Sequence, residues 1–132
     1  MAPAVPSRAG VNPAMADGII FDVGEEDFEA RVIEASRTRP VMVDIWAEWC
    51  APCRQLTPVL ERVAKSGEGR ILLAKLEADE NMRLAGFYRV KGFPTVMLFL
   101  DGEEKGRFAG FRSEQAVRAF IDEHAPPPDV RG

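Results

Sequence analysis

The sequence predicts an α/β domain: a central mixed β-sheet of about five strands flanked by four helices, in the order βαβαβαββα. Three observations predict it. Short apolar, β-branched runs alternate with segments of helical periodicity, the pattern of a sheet covered on both faces. Strand–helix–strand units of this kind make right-handed crossovers between parallel strands. Near the end, Asp101-Gly102 follows an apolar run directly, a hairpin signal that adds antiparallel strands to the parallel core.

The first strand is expected in IIFDV (19–23). EEDFEARVIEAS (25–36) carries Phe28, Val32, Ile33 and Ala35 at helical spacing, and acids in its first turn where the helix dipole favours them. Pro40 blocks its continuation. VMVDIWA (41–47) is short and nearly all apolar, which suits a central strand buried on both faces. From about Cys50 to Lys65 the stripe Leu56, Val59, Leu60, Val63 predicts a helix, with a kink expected at Pro58. RILLAKLEA (70–78) is a second central strand and ENMRLAGFY (80–88) a short helix. FPTVMLFL (93–100) and EEKGRFAG (103–110) form the hairpin about Asp101-Gly102. Ser113 is a good N-cap for a last helix whose inner side carries Ala116, Val117, Phe120 and Ile121.

At 132 residues the chain is long enough for one domain with its own core, expected over 18–124. Residues 1–17, interrupted by Pro3, Pro6 and Pro13, read as a disordered leader, and 125–132 as a proline-rich tail. The net charge of −4 and the absence of a basic cluster argue against nucleic acid. The longest apolar run, TVMLFL, is too short to cross a membrane. The N-terminus has no continuous apolar stretch of the secretory type, so the expected compartment is the cytoplasm. A structural disulfide does not persist there, and a C-x-x-C exposed to solvent reads as a redox pair.

The only cysteines are Cys50 and Cys53. Half a zinc site is one reading, but a closed site needs four ligands, and no second C-x-x-C exists. The only histidine, His124, reads as a solvated helix-end residue. An inert packed pair is another reading, disfavoured by Ala-Pro between the cysteines at a helix start. The redox reading has a physical basis. A sulfur at a strand-to-helix junction meets unpaired helix N–H groups, which stabilise a thiolate nucleophile. One turn on, Cys53 can attack the resulting mixed disulfide. Pro52 sits in the first turn, where its missing N–H is harmless. The spacing alone does not give the direction of exchange. Asp44 interrupts the core strand, so burial should raise its pKa and suit it to exchange a proton with Cys53. Lys75, in LLAKL, is its expected charge neighbour.

These residues resemble the thioredoxin family. WAEWCAPC (46–53) is similar to its W-C-G-P-C motif, with the preceding tryptophan and the buried acid in register. KGFPT (91–95) resembles its cis-proline loop, AKLEAD (74–79) its lysine-bearing strand, and FAGF (108–111) its Val-Gly-Ala turn. The likeness runs from about Ile19 to Glu123. It implies the thioredoxin fold and a protein-disulfide reductase: Cys50 attacking, Cys53 resolving, and Asp44 with Lys75 governing the proton of Cys53. Pro94 would present backbone to a substrate strand and keep metals off the dithiol. Trp49, Ala51, Pro52, Phe93, Ala109 and Gly110 would receive the polypeptide. No metal and no cofactor beyond the Cys50–Cys53 dithiol are implied. The expected partners are thioredoxin reductase or another dithiol donor and disulfide-containing client proteins, met by a monomer. Ala51 stands where the family has glycine, a departure that bears on the redox potential.

VIEASRTRPVMVDIW, RQLTPVLE and AVRAFID resemble the thioredoxin domain of bacterial chaperedoxins, which continues into tetratricopeptide repeats. The alternative is therefore a client-binding or substrate-transfer module, or an excised N-terminal domain. An oxidant or isomerase would share the fold and is compatible with Ala-Pro between the cysteines, but such enzymes usually work in oxidising compartments.

Overall fold

The computed structural model describes residues 16–127. Five strands form one mixed sheet: β1 (Ile20–Asp22), β2 (Val41–Trp46), β3 (Leu72–Glu77), β4 (Thr95–Leu100) and β5 (Glu103–Ala109). Their spatial order is β1-β3-β2-β4-β5. β3 is parallel to both β1 and β2, whereas β4 runs antiparallel to β2 and β5. The α-helices are α1 (Ala16–Ile19), α2 (Ala51–Ser66), α3 (Met82–Phe87) and α4 (Glu114–His124). The expected leader lies outside the described residues except for Ala16 and Asp17, which open α1. Of the expected tail, Ala125 is buried in the core, and the segment from residue 128 on is outside the described residues.

The central strand is buried as its composition requires: Val41 to Ile45 are all inaccessible to solvent. Alternation splits its side chains between two layers. Met42 joins Leu73, Val96 and Leu98 under α2 and α4, with Leu56, Leu60, Val117 and Ile121. Val41, Val43 and Ile45 face the other way, with Phe28, Val32, Leu76 and Phe99. Full burial of a side chain such as Leu60 contributes about 2 kcal/mol by apolar area alone. α2 runs through Pro58 without interruption.

The segment expected as an α-helix over 25–36 is instead a π-helix, Glu29–Glu34, followed by a 3₁₀ turn, Ala35–Arg37. Three hydrogen bonds of Ser36 account for its tight end. Ser36 Oγ donates to Ile33 O at 2.7 Å and accepts from Gly102 N at 2.8 Å, while Ser36 O accepts from Asp101 N at 2.7 Å. The segment is thereby anchored to the β4–β5 hairpin rather than to its own next turn. The hairpin itself is as expected. Asp101 and Gly102 both have positive φ (57° and 81°), the two-residue turn that matches strand twist. Ser113 caps α4 by accepting from Ala116 N.

His124 is not the solvated residue the sequence suggested. It is half-buried, its ring lies 4.7 Å from that of Phe120, and its Nδ1 is 3.0 Å from Phe120 O. The reason is Gly106 in β5: a Cβ there would overlap the imidazole, so the glycine leaves the space the ring fills. The register shifts between Leu98–Gly106 and Phe99–Glu104, leaving Lys105 as the extra residue of a bulge beside that contact.

Candidate active site

The C-terminal end of β2 delivers the chain to the cysteines. Cys50 is the N-cap of α2 in an extended conformation, and its Sγ accepts from Cys53 N at 3.2 Å. One helix-start N–H, that of Cys53, is therefore aimed at the sulfur expected to form the thiolate. A disulfide joins Cys50 to Cys53, with 5.3 Å between Cα atoms. Contrary to the expected exposure, Cys50 is 4% and Cys53 2% accessible. The pair packs with Ala47 beneath Trp46 and Phe93, so a partner must approach across the rim.

That rim gathers the residues predicted to receive polypeptide. Trp49 is 64% exposed, rests edge-on against Phe93 with centroids 5.5 Å apart, and donates from Nε1 to Asp79 Oδ2 at 3.0 Å. A large indole held in place yet open to solvent is a ready contact surface. Phe93 is half-buried and touches both the cysteine cluster and the sheet core. Ala51 and Pro52 are exposed on the first turn of α2. The Phe93–Pro94 peptide is cis and Pro94 is buried. Pro94 O accepts from Gly110 N at 2.8 Å, which brings Ala109 and Gly110 alongside Pro94. Gly110 has φ of 88°, a backbone state that favours glycine.

Asp44 is fully buried, as its apolar flanks predicted. Desolvation pushes its carboxyl up to about 6, against the opposing pull of the Thr57 hydrogen bond and the Lys75 charge. Thr57 Oγ1 donates to Asp44 Oδ2 at 2.8 Å, and Oδ1 has no hydrogen-bond partner. Lys75 stands beside Asp44 in register, but its Nζ donates to Glu61 Oε2 at 3.1 Å. The ammonium bonds to the acid that keeps contact with water and acts on Asp44 through its field. An open groove of about 460 Å³ passes Trp46, Ala47, Cys53, Thr57, Pro58 and Lys75. Among the described residues, no cluster of three or more His, Cys, Asp or Glu could hold a metal ion.

A strand-to-helix C-x-x-C disulfide, a cis-proline loop beside it and a buried acid bonded to Thr57, one turn after Cys53, make one constellation. The thioredoxin family model matches residues 19–123, almost the whole described chain. The chain belongs to the thioredoxin family. It is 42% identical over 103 residues to the thioredoxin of Pseudomonas aeruginosa, covering 78% of this chain and 94% of that protein. It is 38% identical over 101 residues to that of Rickettsia bellii, covering 76% and 94%. With that of Acidithiobacillus ferridurans it shares 38% over 108 residues, covering 82% and 97%. These relatives lend no support to the chaperedoxin alternative. With its Cys50–Cys53 disulfide, this thioredoxin-family chain is a thiol–disulfide oxidoreductase acting on protein disulfides.

Three residues of this thioredoxin-family site were not anticipated from sequence. Thr57 and Glu61 follow Cys53 at successive intervals of four, so they share its helix face, and that spacing was the available signal. Asp79, the partner of Trp49, gave no local signal. No described helix is long and apolar enough to cross a membrane.

Proposed function

We propose that reduction of a client disulfide begins with the Cys50 thiolate and is completed by Cys53 with the help of Asp44. The Cys50 sulfur bonds to one client sulfur as the client S–S bond breaks, and the other client sulfur leaves as a thiolate. Cys53 gives its proton to Asp44 and attacks Cys50, releasing the second client sulfur. Two electrons pass to the client, and the Cys50–Cys53 disulfide is returned to the dithiol by thioredoxin reductase or another dithiol donor. The observation that carries this order is the Cys53 N–H directed at Cys50 Sγ at the helix N-cap.

Lys75 sets the field at Asp44, and Pro94 offers backbone to the client strand and excludes metals from the dithiol. Trp49, Ala51, Pro52, Phe93, Ala109 and Gly110 form the docking rim. Exposure of Trp49, Ala51 and Pro52, and the contact of Trp49 with Phe93, support that assignment. The clients are disulfide-containing proteins, and the protein works as a monomer in the cytoplasm. The test is insulin-disulfide reduction with a dithiol donor. Cys50→Ser should abolish turnover, while Cys53→Ser should accumulate a mixed disulfide with the client. Full activity in Cys50→Ser would refute the assignment.

A further inference from the structure

Asp44 is held from one side only. Its Oδ2 accepts from Thr57, while Oδ1 is buried without a partner. A buried carboxyl oxygen left bare needs an explanation. The Thr57 hydroxyl has one proton to donate, and the carboxyl has two protonation states. Thr57 can donate to Oδ2 in both states only if the mobile proton resides on Oδ1.

The other charged groups around Asp44 leave that oxygen alone. On β3, Lys75 gives its Nζ to Glu61 of α2. Asp22 of β1 lies beyond Lys75 in the same row across the sheet. On the other side β4 presents Val96. Cys53 and Thr57 lie one turn apart, about 6 Å along the α2 axis, and they line the same groove.

We propose that Thr57 is a positioning residue for the resolving step: its hydroxyl anchors Asp44 Oδ2 and so reserves Oδ1 for the proton of Cys53. The proposal rests on the role given to Asp44 above. The Cys53 S–H bond breaks and its proton goes to Oδ1. The sulfur electron pair forms the bond to Cys50 as the Cys50–client bond breaks, and the client sulfur departs as a thiolate.

Thr57→Val keeps the shape and removes the donor, and Thr57→Ser restores it. The readout is the titration of the Asp44 carboxyl carbon by NMR, alongside the pH profile of disulfide reduction. Asp44 should titrate near about 6 in the parent protein. In Thr57→Val the midpoint should rise by about one pH unit, because the lost hydrogen bond is stronger to the ionised carboxylate than to the neutral acid. Thr57→Ser should bring it back. The acid limb of turnover should move with it, so the Val variant loses several-fold more activity near pH 6 than well above it. A purely structural role would lower the melting temperature without moving the midpoint. If Thr57→Val does not fold, Thr57→Ala, a better helix former, carries the same expectation. An unmoved midpoint in the folded variant, or no rescue by Ser, overturns the proposal. Failure of the Asp44 role itself would look different: Asp44→Asn would keep the parent acid limb.

Discussion

Asp44 puts a titratable group where the fold would hold an aliphatic one. Its carboxyl ionises near about 6 when folded, against 3.8 for an unburied aspartate. Well below 3.8 both states are protonated, and the residue adds no pH dependence. As pH rises, the unfolded chain ionises first and is favoured. The stability contributed by the protonated carboxyl is therefore lost between the two values and is gone above the folded one. A gap of about two pH units corresponds to about 3 kcal/mol, a sizeable part of a domain's net stability. Asp44→Asn removes that dependence. Its stability relative to the parent protein should improve by about 2.5 kcal/mol between pH 4 and pH 8, whatever constant offset the amide brings. Urea denaturation at both pH values measures it, and parallel behaviour of the two proteins would contradict the assignment. On the role proposed for Asp44, the same substitution should slow reduction at neutral pH.

Among the elements, the contact between β5 and the end of α4 is the one the sequence concealed. β5 is an edge strand whose charged residues Glu103, Glu104, Lys105 and Arg107 discourage pairing with another chain. Gly106 interrupts them because the His124 ring occupies the place of its side chain. Gly106→Val should displace the imidazole from Phe120 and cost about 1–3 kcal/mol, as overpacking does. Adding His124→Ala should return part of that loss, a coupling that thermal melts of the four proteins would detect. Simple additivity would show that the ring and the strand are independent. Elements with local signals were legible: the Asp101-Gly102 turn, the Ser113 cap, and the β2 run. The π-helical Glu29–Glu34 segment was not, because its end is anchored to Asp101 and Gly102, far away in sequence. The site divides in the same way. Cys50, Cys53 and Asp44 stand out by residue type in their context. Thr57 stands out only by its spacing of four from Cys53, which gains meaning once Asp44 of the strand lies opposite it.

At the scale of the molecule, one sheet serves two apolar layers, and the active site sits where the central strand leaves both. Phe99 packs edge-on against Phe28 and Tyr88 on one side. Ile121 lies in the helical layer on the other. Apolar residue pairs along β2 and β3 alternate between the layers, with Met42–Leu73 in one and Val43–Ala74 in the other. Losing either layer exposes the strands that hold the second, so the two should unfold together. Phe99→Ala should cost about 3–5 kcal/mol and Ile121→Val about 0.5–1.5 kcal/mol. A packed sheet separates the two sites, with no shared partner, so the double variant should equal the sum within about 0.5 kcal/mol. Both positions lie outside the cysteine cluster, so the folded fraction should keep the parent's specific activity in insulin reduction. Denaturation followed by two probes, one in each layer, tests this: two separate transitions would mean that the layers are independent, and that the site rests on only one of them.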